Sequence, residues 1–262
     1  MAKPNKESKF RRLSDSISTG GILTPHLEQA LMTRGEDVWP EEYAIKIYNK
    51  ERHWDGLFHP SSHTDSPELQ LFYEFNPKYA IRREPPTVDM IMTFQVGSAF
   101  HSLLQSMLLN LGFCKEEDIE THFVNAEHHC SGTVDVRKIT LPNGKNYPLE
   151  IKSAGFLPKD PSPKYVNQLQ VYMDVGCGEV QEEGIILYLE KNHPHRFREF
   201  LVRRDEKILD SIYSRWNRVL EAIEFDDPSM LEFPCHAVNS KAHMECPARN
   251  VCLLGPPTSF MR

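Results

Sequence analysis

Apolar residues recur every three or four positions through 88–111, at Phe100, Leu103, Leu104, Met107, Leu108 and Leu111, with Gly112 directly after. That spacing predicts a long amphipathic helix ended by a glycine. A second such stripe, Ile208, Leu209, Ile212, Tyr213, Trp216, Val219, Leu220 and Ile223, predicts a helix over 205–224. Between them the period changes to that of strands, at 120–124, 132–139 and 147–153, with a turn at Pro142-Asn-Gly-Lys145 joining the last two. Pro161 and Pro163 punctuate the chain before a helix at 164–175, and strands follow at 185–189 and 198–202. Upstream, 27–50 suggests short helices, Phe58-His-Pro-Ser-Ser62 has turn chemistry, and a helix starts at Glu68 and runs to Phe75. There is no internal repeat. A helix, three strands, a helix and further strands in that order give an α/β fold, a central mixed sheet flanked by helices.

Composition adds boundaries. The 262 residues suit one domain with appendages. Residues 1–57 are expected to be an N-terminal arm, partly disordered, with short helices; 58–232 are the core and 233–262 a tail. No apolar run reaches the roughly 20 residues of a membrane span, and the polar, basic start has no secretory h-region, so a cytoplasmic protein is expected. The net charge of −7 argues against nonspecific DNA binding by the whole surface. It leaves room for a local basic patch and bound cations to hold phosphate, with Arg82, Arg83, Lys159 and Lys164 as candidate contacts, for each of which solvated surface charge is the better reading.

Chemistry concentrates in the hairpin. Glu150 and Lys152 share a face of their strand, because side chains alternate with period two. A two-residue turn at Asn143-Gly144 would place Asp135 opposite Lys152 and Arg137 opposite Glu150, bringing Asp135, Glu150 and Lys152 to one face. A one-residue slip would undo that. Two carboxylates suit a hard cation such as Mg²⁺, which lowers the pKa of a water and neutralises charge on a phosphate, while the ammonium steadies the transition state. The ordinary alternative is an ion pair across a hairpin. His101, one turn after Gly97 on the long helix, and Gln168 with Tyr172, four apart on the next, also have ordinary readings as a half-buried histidine and an amphipathic helix edge.

As an ordered series, His101, Gly132-Thr-Val-Asp135, Glu150-Ile-Lys152 and Gln168-x-x-x-Tyr172 resemble the RecB-like branch of the PD-(D/E)XK nucleases, notably CRISPR-associated and phage-borne exonucleases. The resemblance spans roughly 58–252. It implies a restriction-endonuclease-like core and a metal-dependent DNA exonuclease acting on linear or single-stranded ends in recombination, repair or phage DNA processing. His101, Asp135, Glu150 and the Ile151 carbonyl would hold one or two Mg²⁺ or Mn²⁺ ions. Lys152 would be the catalytic lysine, and Gln168 and Tyr172 would orient it or contact the strand. A non-catalytic DNA-binding or scaffold protein of the same fold, or a structure-specific endonuclease, is the alternative.

Many such nucleases carry an iron–sulfur cluster on one early cysteine and three late ones in C-x2-C-x5-C. Here Ser66 stands at the early place, and His243-x2-Cys246-x5-Cys252 replaces the late run, with Cys235 added upstream. Cys235, His243, Cys246 and Cys252 form a local set of four, suited to structural zinc, with an iron–sulfur cluster or idle thiols as alternatives and His236 as a competing ligand. Cys114, Cys130 and Cys177 lack cluster spacing and read as ordinary small residues.

Overall fold

The computed structural model describes residues 17–18, 21–32, 55–79, 81, 87–232 and 241–252. Its strands are β1 (Ile17–Ser18), β2 (Ile119–Asn125), β3 (Cys130–Thr140), β4 (Asn146–Ala154), β5 (Glu183–Glu190) and β6 (Phe197–Arg203). They form one mixed sheet in the order β1-β6-β5-β4-β3-β2, in which β4 and β5 are parallel and every other pair is antiparallel. The helices are α1 (Thr24–Met32), α2 (Pro60–His63), α3 (Glu68–Phe75), α4 (Val88–Asn110), α5 (Pro163–Val171), α6 (Glu206–Phe225) and α7 (Lys241–Glu245). The parallel pair requires a crossover, and α5 provides it.

Both faces of the central strands are apolar, as burial under two helix layers demands. Leu149, Ile151, Ile185 and Leu187 pack with Leu104, Met107 and Leu108 of α4 and with Leu23 and Leu27 at α1. Ile186 and Tyr188 point the other way, onto Val166, Leu169 and Met173 around α5. A third core forms where Leu209, Ile212, Trp216 and Val219 of α6 meet Leu69, Phe72 and Tyr73 of α3, with Cys130 of β3 reaching it from the sheet. Trp216 stacks on Phe58 there, with ring centroids 4.8 Å apart and planes 7° from parallel. Buried Glu68 ties this layer together, pairing with Arg218 and accepting the Glu232 N–H at 3.0 Å.

The long helices match the periodic segments closely. Helix α4 opens on Thr87, whose hydroxyl accepts the Met90 N–H at 3.3 Å, and ends at Gly112 (φ +70°). There Phe113 N–H reaches the Leu108 carbonyl at 2.9 Å, a closed C-terminal cap. Leu104, Met107 and Leu108 are buried, and Phe100, Leu103 and Leu111 pack at the margin of the same core. The first turns of α4 differ, since Val88, Met90, Ile91, Met92, Phe94 and Val96 are exposed. Among the described residues, no helix is long and apolar enough to cross a membrane.

Two expectations need revising. The segment around Phe58–Ser62 forms the short helix α2 rather than a bare turn. The helix expected over 164–175 changes at Tyr172 to a π-helical turn, Tyr172–Gly176. Within the expected arm, Leu23 and Leu27 are fully buried, and α1 starts where the Glu199 carboxylate of β6 accepts the Leu23 N–H (2.9 Å) and the Thr24 hydroxyl (2.6 Å). A carboxylate at a helix N-terminus satisfies its unpaired donors and its dipole together.

The β3–β4 register also differs. Leu141 N–H bonds the Lys145 carbonyl at 3.1 Å, so the loop has three residues, Pro142, Asn143 and Gly144 (φ +77°), instead of two. Ile139 pairs with Tyr147 and Val136 with Leu149, so two residues of β3 oppose Pro148 alone. Proline has no N–H for the ladder, and a bulge absorbs that defect. The two offsets bring Asp135 level with Glu150 rather than Lys152.

Candidate active site

Asp135 sits where the sheet comes apart. Its neighbours Val134 and Val136 bury in cores on opposite faces, so side-chain alternation breaks at this residue. The β3–β4 ladder runs no further than Val136–Leu149, and the Ile151 N–H donates to Asp135 Oδ2 at 2.7 Å in place of a strand partner. On the other edge, Ile119 pairs with Val136 and Thr121 with Val134, which leaves Glu120 and Asp135 facing one another in an interrupted ladder. Glu120 has the left-handed φ of +48°. Gln105 of α4 spans the break, donating from Nε2 to the Asp135 carbonyl (3.1 Å) and to Glu120 Oε1 (2.8 Å).

Helix α4 brings His101 to this break, one turn before Gln105, with Nδ1 3.6 Å from Asp135 Oδ1. Gly97, a turn earlier, lies beside β4, where a Cβ would make ordinary contact with Ser153 Oγ at 3.5 Å. Donor atoms of His101, Glu120 and Asp135 all lie within 4.8 Å of one another, a group able to hold a cation. Glu120 escaped the sequence reading. Its signal is a backbone kink that no residue pattern announces.

Glu150 and Lys152 approach from β4 on the α5 side. Glu150 is 1% exposed; its Oε1 meets Lys152 Nζ and accepts from Gln168 Nε2 at 2.8 Å. Gln168 also donates to the Tyr172 hydroxyl at 3.0 Å. Both Gln168 and Tyr172 are buried. Lys152 Nζ lies 4.5 Å from the centroid of the Tyr165 ring, another residue the sequence reading did not single out. Glu150 Oε2 is buried and has no hydrogen-bond partner.

The electrostatics follow from burial and crowding. Burial and then the Asp135 charge push Glu150 up to about 7, against the pull of Lys152. Burial also acts to raise Asp135, but His101, Lys152 and the Ile151 N–H outweigh it and hold its carboxyl below the usual range. Burial works against charge on His101 and Lys152, yet the carboxylates beside them raise both. Tyr172 is raised well above a free phenol, chiefly by burial, and stays neutral. A buried carboxylate oxygen without a donor, in the field of the Asp135 charge, is costly unless a cation offsets it. The residues present therefore fit a divalent ion.

The tail is only partly in view. Cys235, His236 and the His243 side chain lie outside the described residues, as do Arg82 and Arg83. Cys246 and Cys252 are half-buried thiols packed against the core around Phe58 and Trp216. Ser66 donates its hydroxyl to the Ser62 carbonyl at 2.9 Å. Cys130 and Cys177 are buried, and burial pushes both thiols up to about 12.

No protein-family model matches the chain, and no curated protein matches it. Among solved structures, the chain is similar to SSO0001, with a TM-score of 0.46, 19% identity, and coverage of 77% of this chain and 87% of that one. It is also similar to LHK-Exo in complex with dAMP, with a TM-score of 0.44, 15% identity, and coverage of 65% and 89%.

Proposed function

We propose that the chain is a divalent-cation-dependent deoxyribonuclease of the PD-(D/E)XK type that shortens DNA from its ends. The observation that carries this reading is Glu150 Oε2, buried without a partner on a carboxylate that pairs with Lys152 and feels the Asp135 charge. Asp135 and Glu150, with the Ile151 carbonyl and His101, would hold Mg²⁺ or Mn²⁺. The ion would supply charge neutralisation at the phosphate and acidify a water.

The protein's own residues divide the remaining work. Lys152 is kept protonated by the carboxylates around it, so it serves as a hydrogen-bond donor to the phosphate or the attacking water and does not take up a proton. Tyr165 beneath the ammonium and Glu150 beside it limit where that donor can point. Gln168 fixes one oxygen of Glu150, which orients the other. Exposed Phe156 follows β4, and the exposed Lys159 and Lys164 come before and within the start of α5. One aromatic face and two ammonium groups suit a single strand approaching the site. The half-buried Cys246 and Cys252, with Cys235 and His243, would hold a structural zinc ion.

The test is digestion of end-labelled linear and of circular DNA, single- and double-stranded, with Mg²⁺ or Mn²⁺. Progressive shortening of linear DNA, abolished in Asp135→Asn, is the expected result. Cutting of circles would favour an endonuclease. Binding without cleavage would favour a DNA-binding scaffold.

A further inference from the structure

We propose that the loops at the C-terminal ends of β4 and β5, 155–162 and 191–196, form with Arg198 a phosphate-binding surface that holds the DNA strand beside the catalytic group. The inference rests on the deoxyribonuclease reading of that group and deepens it, because it assigns the residues that grip the strand next to the point of cleavage.

Charge singles the surface out. The chain carries a net charge of −7, yet 155–164 and 191–198 hold Lys159, Lys164, Lys191, Arg196 and Arg198 against one carboxylate, Asp160. Arg196 is taken up by buried Glu190, with Nε and Nη2 at 2.9 and 3.3 Å from its oxygens. Among the described residues, Lys159, Lys164, Lys191 and Arg198 have no ion-pair partner. Lys159, Lys164 and Arg198 are exposed, as are His193 and His195, and Lys191 is half-buried. Unpaired cations gathered in one place on an acidic protein are where a polyanion gains most. Exposed Phe156, in the same stretch, offers a face on which a base can stack.

The register sets this surface against the catalytic group. Lys152 of β4 is level with Tyr188 of β5, and Tyr188 with Arg198 of β6. Phe200, next on the same side of β6, packs with Tyr188 in the core facing α5, so Arg198 shares that face with Lys152. Adjacent strands lie about 4.8 Å apart, which puts Arg198 roughly 10 Å from Lys152 at the backbone. Phosphates of one duplex strand advance about 3.4 Å along the axis, so Arg198 falls within about three nucleotides of the bond that Lys152 serves. The loops are also tied to each other. The Lys191 N–H bonds the Ala154 carbonyl at 2.7 Å, the Glu190 N–H bonds the Arg196 carbonyl at 2.9 Å, and Arg198 Nη1 donates to the Pro158 carbonyl at 2.8 Å. That last bond uses one of the several donors of the guanidinium and leaves the others for a phosphate. The C-terminal ends of parallel strands are where open α/β sheets commonly take their ligands.

The test is fluorescence anisotropy of a labelled single-stranded oligonucleotide with the full-length chain in EDTA, where binding proceeds without cleavage, repeated across salt concentrations. Arg198→Ala and Lys191→Gln should each weaken binding about 5- to 10-fold. Each should also flatten the slope of log K against log salt by about 0.7, the share of one phosphate on a single strand. Arg198→Lys, which keeps the charge, should recover the slope, whereas a merely structural role would move affinity and leave the slope alone in every variant. Exposed Lys207 lies beyond the other end of β6, and Lys207→Ala should match wild type. In cleavage assays Arg198→Ala should raise KM with kcat little changed, and thermal melts should show each variant folded. Affinity and slope equal to wild type in both Arg198→Ala and Lys191→Gln, with linear DNA still shortened, would overturn the surface and keep the nuclease. Equal weakening by Lys207→Ala would overturn it as well, since any cation would then contribute. Binding weakened in the two variants, with no DNA cleaved by wild type in Mg²⁺ or Mn²⁺, would keep the surface and remove the nuclease. A wild type that binds no oligonucleotide would overturn the surface whatever its cleavage.

Discussion

The Ile151 backbone N–H donates to the Asp135 carboxylate at 2.7 Å, at the point where β3 leaves β4. One side chain thereby closes the opened edge of a central strand and keeps its second oxygen turned toward His101. Structure and chemistry meet in that carboxylate. An amide in its place offers one oxygen only, and its NH₂ must face either the Ile151 N–H or His101.

Asp135→Asn should therefore lose cleavage by at least about 10²–10³-fold, the scale on which single electrostatic contributions to a transition state are removed. Its melting temperature should move by only a few degrees, because volume and one hydrogen bond remain. Rates on end-labelled DNA, alongside a circular-dichroism melt, decide it. Cleavage near wild type would remove Asp135 from the site.

Lys152→Ala separates ligand from donor. Mn²⁺ affinity should persist within about threefold, because the carboxylates stay, while turnover drops by two orders of magnitude or more. Calorimetry and single-turnover cleavage on the same preparation test the split. Equal losses in both would mean that Lys152 chiefly stabilises the ligand set.

Much of this was legible from spacing. Helices α4 and α6 follow their apolar stripes because a buried face constrains nearly every third or fourth residue. The hairpin was legible as a hairpin but not in its register. Pro148 forces a bulge and Gly144 supports a three-residue loop, and two one-residue offsets cannot be counted from alternation alone. Glu120 and Tyr165 were invisible for a related reason. Each reaches the site through an element's placement, a kinked β2 and a crossover helix, and not through a local motif.

Gln168 is expected to act as a positioning residue, because its amide touches Glu150 and Tyr172, both buried, and no exposed surface. Gln168→Leu should lower kcat about 10- to 100-fold with KM for DNA little changed, and weaken Mn²⁺ by a similar factor. Gln168→Glu should not rescue it, since a carboxylate cannot donate to Glu150. A rise in KM alone would instead place Gln168 in strand binding.

Gly132 tests how far this buried chain depends on close contact. A Cβ there would stand 2.9 Å from a Phe123 ring carbon and 3.3 Å from Tyr172, so one ring must move. Gly132→Ala should cost about 1–3 kcal/mol in chemical denaturation. Displacing Tyr172 should also disturb Gln168 and Glu150, lowering cleavage beyond what the lost stability explains. Unchanged stability would mean that both rings yield without resistance.

The tail offers the last test, independent of the catalytic residues. Cys246 and Cys252 pack on the core around Phe58 and Trp216, and a short helical turn links them, with the Cys252 N–H bonded to the Ala248 carbonyl at 3.0 Å. Such a segment has few apolar residues to hold it, so a metal joining it to Cys235 and His243 would supply much of its order. A structural zinc site can contribute about 10 kcal/mol to folding, and zinc takes three thiolates and an imidazole without redox demands. Elemental analysis of anaerobically purified protein should find about one zinc per chain in a colourless sample. Cys246→Ser should lower the melting temperature and solubility, and any residual folded fraction should keep its Mn²⁺ affinity, because none of the cation ligands lies in the tail. A brown sample containing iron and sulfide would replace zinc with a cluster. Protein free of zinc and iron would leave both cysteines as ordinary packed thiols.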